Sequence, residues 1–454
     1  MKYVSTRGAS PAIAFEDVLL SGPAPDGGLY VPETWPALDI ENLRGKSYAE
    51  LTAAIVARFA GAPAWRDAIE HHARAAYAKF DHPEIAPIRA YAGNRWLLEL
   101  FHGPTLAFKD FALQLLAPLM NEALARRRDR ALVVAATSGD TGAAAVAALA
   151  NQPHIDLVVL HPKGRISDVQ RRQMTTTTAA NVRNIAVEGT FDDAQTLVKQ
   201  LFADHAFARQ HRLAAINSIN WVRIAAQTAY YVATCLKLGP QLTFAVPTGN
   251  FGDVFAGYVA KRLGAPVKRL IVATNVNDIL ARAISTGVYA RAQVHATISP
   301  AMDIQIASNF ERLLYESNGR DAAAVKRMME TFAATGSLTI APEALAAIRA
   351  AFDADRIDEA ETSATIARMH REAGILVDPH TAVGLTATRR AAADERVVTL
   401  ATAHPAKFPD AVQAASGAKP ELPQRLRWIL TAPERYDVLP ADLAALKDHI
   451  ARAR

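Results

Sequence analysis

From residue 97 to residue 410 the chain repeats one pattern, and no other feature constrains its fold as much. A short apolar run ends in a small polar turn, and a stretch of helical periodicity follows. LLEL leads to a helix from about residue 106, ALVVAAT to one from about 141, and DLVVLHP to one from about 166. NIAVEG precedes a helix from about 191, TFAVPTG one from about 253, RLIVATN one from about 277, and VVTLATAH one near Phe408. Strands that alternate with helices predict an α/β protein with mostly parallel sheets. Before residue 97 the chain mixes turn clusters (SGPAPDGGLYVPETWP) with helical stretches over Tyr48 to Ala60 and Ala64 to Ala78. Ligands of parallel sheets sit at the carboxyl ends of strands.

Composition narrows the function classes. A chain of 454 residues has room for about two to four domains, and half of its residues are apolar, so a large core is available. The one cysteine, Cys235, lies in the helical run AAQTAYYVATCLKLG and is expected to be a buried structural thiol. MKYVSTRGASPAIAFEDVLLSG lacks a basic start followed by a long apolar block, which argues against a signal peptide. A cytoplasmic location is therefore expected. The most apolar window, Ala131 to Ala150, carries Asp140 and three hydroxyl residues, a poor membrane span. The net charge of +5 permits nucleic-acid binding in principle. The basic residues are dispersed, however, and the densest run, ARRRDR, ends a predicted helix without interleaved aromatics. No nucleic-acid partner is expected. Neither HExxH nor paired-cysteine spacing occurs, so no metal is expected, and His71-His72 and Asp378-His380 read as surface or structural pairs.

Three strand ends have anion chemistry. TFAVPTGNFGDVFAGYVAKRLG runs from a strand through Thr248, Gly249, Asn250, Phe251, Gly252 and Asp253 into a helix. Two glycines three apart let successive N–H groups turn inward at a helix N-terminus, which suits a phosphate. A plain turn capped by Asp253 is the alternative. ALVVAATSGDTGAAAVAALA repeats the arrangement with Thr137, Ser138, Gly139, Asp140 and Thr141, whose hydroxyls and amides suit a carboxylate. Asp140 would repel an anion; it either caps the helix or takes a hydrogen bond from a ligand. Thr402 ends the third strand, VVTLAT. Lys109, in FHGPTLAFKDFALQLL, opens a helix where the dipole opposes its charge. That position is poor for a resting cation and good for an imine-forming amine. Lysine, phosphate turn and carboxylate turn together match a cofactor bearing an aldehyde and a phosphate.

With those residues in view, the sequence resembles the threonine synthases of the longer bacterial and fungal type, in the tryptophan-synthase-β-like group of pyridoxal-phosphate enzymes. YVSTRG, FEDVLLSGPAPDGGLYVPE, HGPTLAFKDFALQ, TSGDTG, HPKGRISDVQ, PTGNFGD, MDIQIASNFERLL and DPHTAVG carry the resemblance in order along nearly the whole chain. It implies a fold-type II enzyme: an N-terminal region over 1–96, a large lobe over 97–129 and 240–454, and a small substrate lobe over 130–239. Lys109 would hold pyridoxal phosphate as a Schiff base and act as the general base. Gly249, Asn250, Phe251, Gly252 and Asp253 would hold the cofactor phosphate, Thr402 the pyridine nitrogen, and Asp140 the 3′ oxygen. Thr137, Ser138, Gly139 and Thr141 would take the substrate carboxylate. The family substrate, O-phospho-L-homoserine, needs a second phosphate site, for which Lys163, Arg165 and Ser167 are the candidates; an exposed basic loop is the alternative. Asn309, Glu311 and Arg312 fall in a matching motif without an assigned role. The implied product is L-threonine, made by a monomer or weak homodimer. A lyase or dehydratase giving 2-oxobutyrate, and a non-catalytic phosphometabolite binder, are the competing readings.

Overall fold

A computed structural model describes residues 1–216 and 218–452. It divides into a larger unit (Met1–Val18, Pro23–Ala112, Ser218–Pro420) and a smaller one (Leu19–Gly22, Leu113–Asn217, Glu421–Arg454).

The larger unit is built on a six-stranded sheet. Its order is Phe352–Arg356, Val267–Thr274, Leu242–Pro247, Val397–Ala401, Arg95–Glu99 and Ile88–Ala92. Neighbours run parallel except the last pair, a hairpin through Gly93 and Asn94. Leu242–Pro247 and Val397–Ala401 are buried throughout, as strands covered on both faces must be, and both read as continuous apolar runs. The helices Trp221–Leu238 and Gly252–Arg262 pack closely here. A Cβ on Gly257 would lie 2.7 Å from Leu270 and 2.8 Å from Tyr231, so only glycine allows that approach. The expected N-terminal region is part of this unit. Its short antiparallel sheet (Lys2–Ser5, Ile13–Ala14, Tyr30–Pro32) and its helix Tyr48–Ala60 pack against Trp221, whose indole meets the rings of Tyr3 and Phe59. A reciprocal Ser47–Glu50 capping box starts that helix and left-handed Gly61 ends it.

The smaller unit has an all-parallel five-stranded sheet, in the order Asp437–Pro440, Val182–Glu188, Ile155–Pro162, Ala131–Ala136, Leu213–Ala214. Its borders differ from the expected 130–239, and it begins already at Leu113, within the stretch expected in the large lobe. The helix Trp221–Leu238 belongs to the larger unit, because its buried face packs there. Residues after Pro420 belong to the smaller unit: Asp437–Pro440 adds a strand beside Val182–Glu188, and Leu446 and Ile450 complete the core of Leu132, Val134, Leu160 and Ile185.

Among the described residues no helix is long and apolar enough to cross a membrane, and no group of three or more His, Cys, Asp or Glu could hold a metal ion. Cys235 is buried, and burial pushes its thiol up to about 12.

Candidate active site

Lys109 is the first residue of the helix Lys109–Arg126 and only 7% exposed. The segment before it is laced to the end of the strand Val397–Ala401. Phe108 N–H donates to the Thr402 carbonyl at 2.9 Å, and His404 N–H donates to the Leu106 carbonyl at 3.0 Å. Leu106 takes a left-handed φ of 61° to make this crossing. Asp110 accepts from both the N–H and the hydroxyl of Thr105, at 2.7 and 2.8 Å. The buried Lys407 donates to the Thr105 carbonyl at 2.8 Å. The turn before the lysine is thus fixed from both sides, and it brings Lys109 beside Thr402, two of the residues the sequence singles out.

The second expected element lies in the same unit. After the strand Leu242–Pro247 the chain turns at Gly249 to Phe251 and enters the helix Gly252–Arg262. Phe251, not Asp253, is the N-cap, with φ 64°, and its side chain is buried against Phe310 and Phe352. The first bond of the helix runs from Phe255 N–H to the Phe251 carbonyl at 3.1 Å, so the amides ahead of it lack helical acceptors. Gly249 is pressed against another loop: a Cβ there would lie 2.6 Å from the Ala301 carbonyl oxygen. Ala301 is held in turn by His380, whose Nε2 accepts its N–H at 3.2 Å while Nδ1 bonds Asp378 at 2.7 Å. The Asn309 amide donates to the Asn250 carbonyl at 3.0 Å, and Arg312 bonds the Asn309 side chain. Arg312 is fully buried, and burial lowers its guanidinium to about 9. Glu311 pairs with Arg7 at 2.9 Å and accepts from Thr6 at 2.6 Å, tying the N-terminal segment to this motif. Asn309 and Arg312 therefore brace the turn, and Glu311 holds the N-terminal segment.

Asp253 departs from its expected role. Its side chain leaves the turn and meets two tyrosines: Tyr230 donates to Oδ1 at 2.5 Å and Tyr231 at 3.0 Å. Burial raises this carboxyl to about 6, opposed by the two tyrosines, Arg223 and Lys109. A carboxylate would repel a phosphate, so Asp253 can serve an anion only through its backbone N–H. Arg223, whose charge acts on it, and Gln227, one helical turn further along, are absent from the residues expected on sequence. Arg223 and Gln227 are buried in the larger unit, and Arg223 Nη1 and Gln227 Nε2 have no partner in the protein. Burial lowers Arg223 to about 10. Arg223, Gln227 and Tyr230 lie at i, i+4 and i+7, a polar stripe on an otherwise apolar helix that the sequence does display.

The other expected residues lie in the smaller unit. Thr137 Oγ1 accepts from Gly139 N–H at 3.0 Å and from Gly142 N–H at 2.8 Å, so this hydroxyl shapes the turn. The helix Asp140–Leu149 has no side-chain cap. The Asp140 side chain instead accepts from Gln170 at 2.9 Å. Ser138 and Thr141 remain partly open. Lys163 and Arg165 are exposed, and Lys163 pairs with Glu188 at 3.0 Å. Ser167 forms a capping box with Gln170 at the start of the helix Asp168–Thr175, which occupies its hydroxyl.

These residues can be tested against pyridoxal phosphate, which brings an aldehyde, a phosphate dianion and an aromatic ring. The larger unit supplies a nearly buried lysine, a glycine turn with helix-terminal amides, and two buried nitrogen groups with donors to spare. That donor set fits an anionic aldehyde cofactor. Comparison with known proteins agrees. Residues 88–360 match the family described as pyridoxal-phosphate dependent enzyme, residues 2–77 the threonine synthase N terminus, and residues 381–450 the threonine synthase C-terminal region. A threonine synthase of Pseudomonas aeruginosa is 47% identical over 100% of this chain and 98% of its own length. The crystal structure of a pyridoxal-phosphate-bound threonine synthase from Brucella melitensis matches with a TM-score of 0.97 and 48% identity, over 100% of this chain and 99% of that one. The yeast threonine synthase structure matches at 0.94 and 36%, over 100% and 98%. The chain belongs to the threonine synthase family of pyridoxal-phosphate-dependent enzymes.

Proposed function

We propose that the chain converts O-phospho-L-homoserine and water into L-threonine and phosphate in the cytoplasm. The observation that carries this reading is the near-complete burial of Lys109 beside Thr402, in the same unit as the turn Gly249–Gly252. Bound pyridoxal phosphate supplies a sink for the charge left on the substrate Cα when its proton departs. Lys109 carries the cofactor and, once its amine is free, takes the Cα proton and returns one at the end of the cycle. Its burial keeps bulk water from competing for that proton. The amides from Gly249 to Asp253 hold the cofactor phosphate, with Asn309 and His380 fixing the turn. Thr402 offers a hydroxyl to the ring nitrogen, which does not enforce a positive ring as a carboxylate would.

Ser138, Gly139 and Thr141 take the substrate carboxylate, on the shape that Thr137 gives the turn, and Asp140 would serve the cofactor's 3′ oxygen. Lys163 and Arg165 are charges for the substrate phosphate. A Cβ proton and the Cγ phosphate are lost, Cγ takes up a proton in place of the phosphate, and water adds its hydroxyl at Cβ while its proton balances the released phosphate, which completes the conversion. The test is to supply the purified holoenzyme with O-phospho-L-homoserine and identify the products. Threonine and phosphate in equal amounts, both lost in Lys109→Ala, are expected. 2-Oxobutyrate in place of threonine would make the enzyme a lyase, and absence of phosphate release would refute the substrate.

A further inference from the structure

The turn Thr137–Gly142 rests on the helix Asp168–Thr175, which crowds both its glycines, Gly142 together with the Thr137 methyl, 2.4 Å from where its Cβ would lie. A Cβ on Gly139, whose φ is 129°, would lie 2.5 Å from the side-chain amide carbon of Gln170. A Cβ on Gly142 would lie 2.6 Å from the Met174 sulfur. Gln170 does more than fill space. It is 3% exposed, and its Nε2 donates to Asp140 Oδ1 at 2.9 Å. Its Oε1 accepts from the Ser167 N–H at 3.3 Å and the Ser167 hydroxyl at 3.2 Å. Two donors on Oε1 fix which way the amide points, because a flip would set its carbonyl against the Asp140 carboxylate. One side chain thus joins the first residue of one helix to the cap of another. The far face of the same helix is anchored as well: Arg171 pairs with Glu434 at 2.8 Å, and Thr175 donates to Glu434 at 2.7 Å.

We propose that Gln170 is a positioning residue for substrate recognition: through its contact with Asp140 and its packing under Gly139 it holds the Ser138–Thr141 turn in the form that receives the substrate carboxylate. This rests on the reading that the turn takes that carboxylate. Gln170 does not touch the reacting atoms. Its loss is therefore expressed in KM for the phosphorylated amino acid more than in kcat.

Gln170→Glu isolates the contact. Glutamate still completes a capping box with Ser167, so the helix start is preserved, but it sets one carboxylate against another at Asp140. Adding Asp140→Asn then reverses the polarity, since the asparagine amide can donate to the carboxylate that Gln170→Glu introduces. Steady-state kinetics of the four proteins in this cycle, each checked by thermal melting, test the proposal. Gln170→Glu alone should raise KM roughly tenfold or more, as expected for loss of a charge-assisted bond. In the Asp140→Asn background the same change should cost about twofold or less, the signature of direct coupling. Gln170→Met, which keeps the volume and removes all three side-chain bonds, takes its place if the carboxylate pair prevents folding; it should raise KM in wild type and by about twofold or less in Asp140→Ala, where no oxygen is left to receive Gln170. Equal cost in both backgrounds, or an unchanged KM, would overturn the proposal. Ser138→Ala separates the two possible failures. If it raises KM and the Gln170 variants do not, only the positioning role falls. If neither raises KM, the turn is not the carboxylate site and the proposal falls with that reading.

Discussion

At the scale of single residues, the active site depends on what is missing as much as on what is present. Gly249 has no side chain because the Ala301 carbonyl oxygen would lie 2.6 Å from its Cβ, and a backbone oxygen cannot swing aside. Gly249→Ala must therefore displace either the turn or the loop at residues 300–302. The expected outcome is a cofactor affinity lowered about tenfold or more, since misplaced anion donors forfeit charge-assisted bonds. Titrating the apoenzyme with pyridoxal phosphate and following visible absorbance measures it. Unchanged affinity would place the phosphate elsewhere. The residues named from sequence fall into two kinds. Gly249 and Thr402 follow strands where apolar runs stop, and Lys109 opens a helix; such positions are legible from pattern alone. Ser167 and Asp253 also stand in the expected turns, but their side chains are engaged elsewhere, by Gln170 and by Tyr230 and Tyr231. The partners of Asp253 are distant in sequence and no local spacing reveals them, whereas Ser167 and Gln170 stand at the spacing of a capping box.

At the scale of elements, helices with strong local signals are legible almost to the residue. Tyr48–Ala60 has its Ser-x-x-Glu start and its glycine stop, and both are observed. The helix after FHGPTLAF begins at Lys109 rather than near residue 106, because the intervening residues bond to the strand end at Thr402 and His404. The strand Asp437–Pro440 is not legible. It has four residues, mostly exposed, and none of the alternation that marks a half-buried strand. Long-range pairing defines it, and so does the anchor just before it. Arg171, by its hydrogen bonds, holds the Glu434 carboxyl below its ordinary range. A depressed carboxylate contributes stability above its unfolded value, 4.5, and loses it as pH falls through the lower folded value. Glu434→Gln should then cost roughly 1 to 3 kcal/mol at neutral pH, an amount typical of hydrogen bonds to charged groups. The difference from wild type should shrink as the pH drops below the carboxylate range. Thermal melting across pH checks this, and a gap independent of pH would show that the ion pair contributes nothing.

At the scale of the whole molecule, each unit is an α/β layer whose function follows from its strand ends. The larger unit carries the lysine, the glycine turn and the buried Arg223 and Asp253; the smaller carries the Thr137–Thr141 turn and the basic loop. The alternation of apolar runs and helices makes the class of fold legible, but not its borders. The chain leaves the smaller unit before Trp221 and returns to it after Pro420, and that return is invisible until Leu446 and Ile450 are seen in its core. The central claim concerns one amine. Lys109 and Lys407 are both buried in the larger unit, and Lys407 donates to the Thr105 carbonyl in the turn before Lys109. The most direct measurement is borohydride reduction of the holoenzyme, which fixes the cofactor to its lysine, followed by peptide mass mapping. The label is predicted on the peptide containing Lys109 and absent from Lys109→Ala. A label on Lys407, or on any other lysine, would contradict the account.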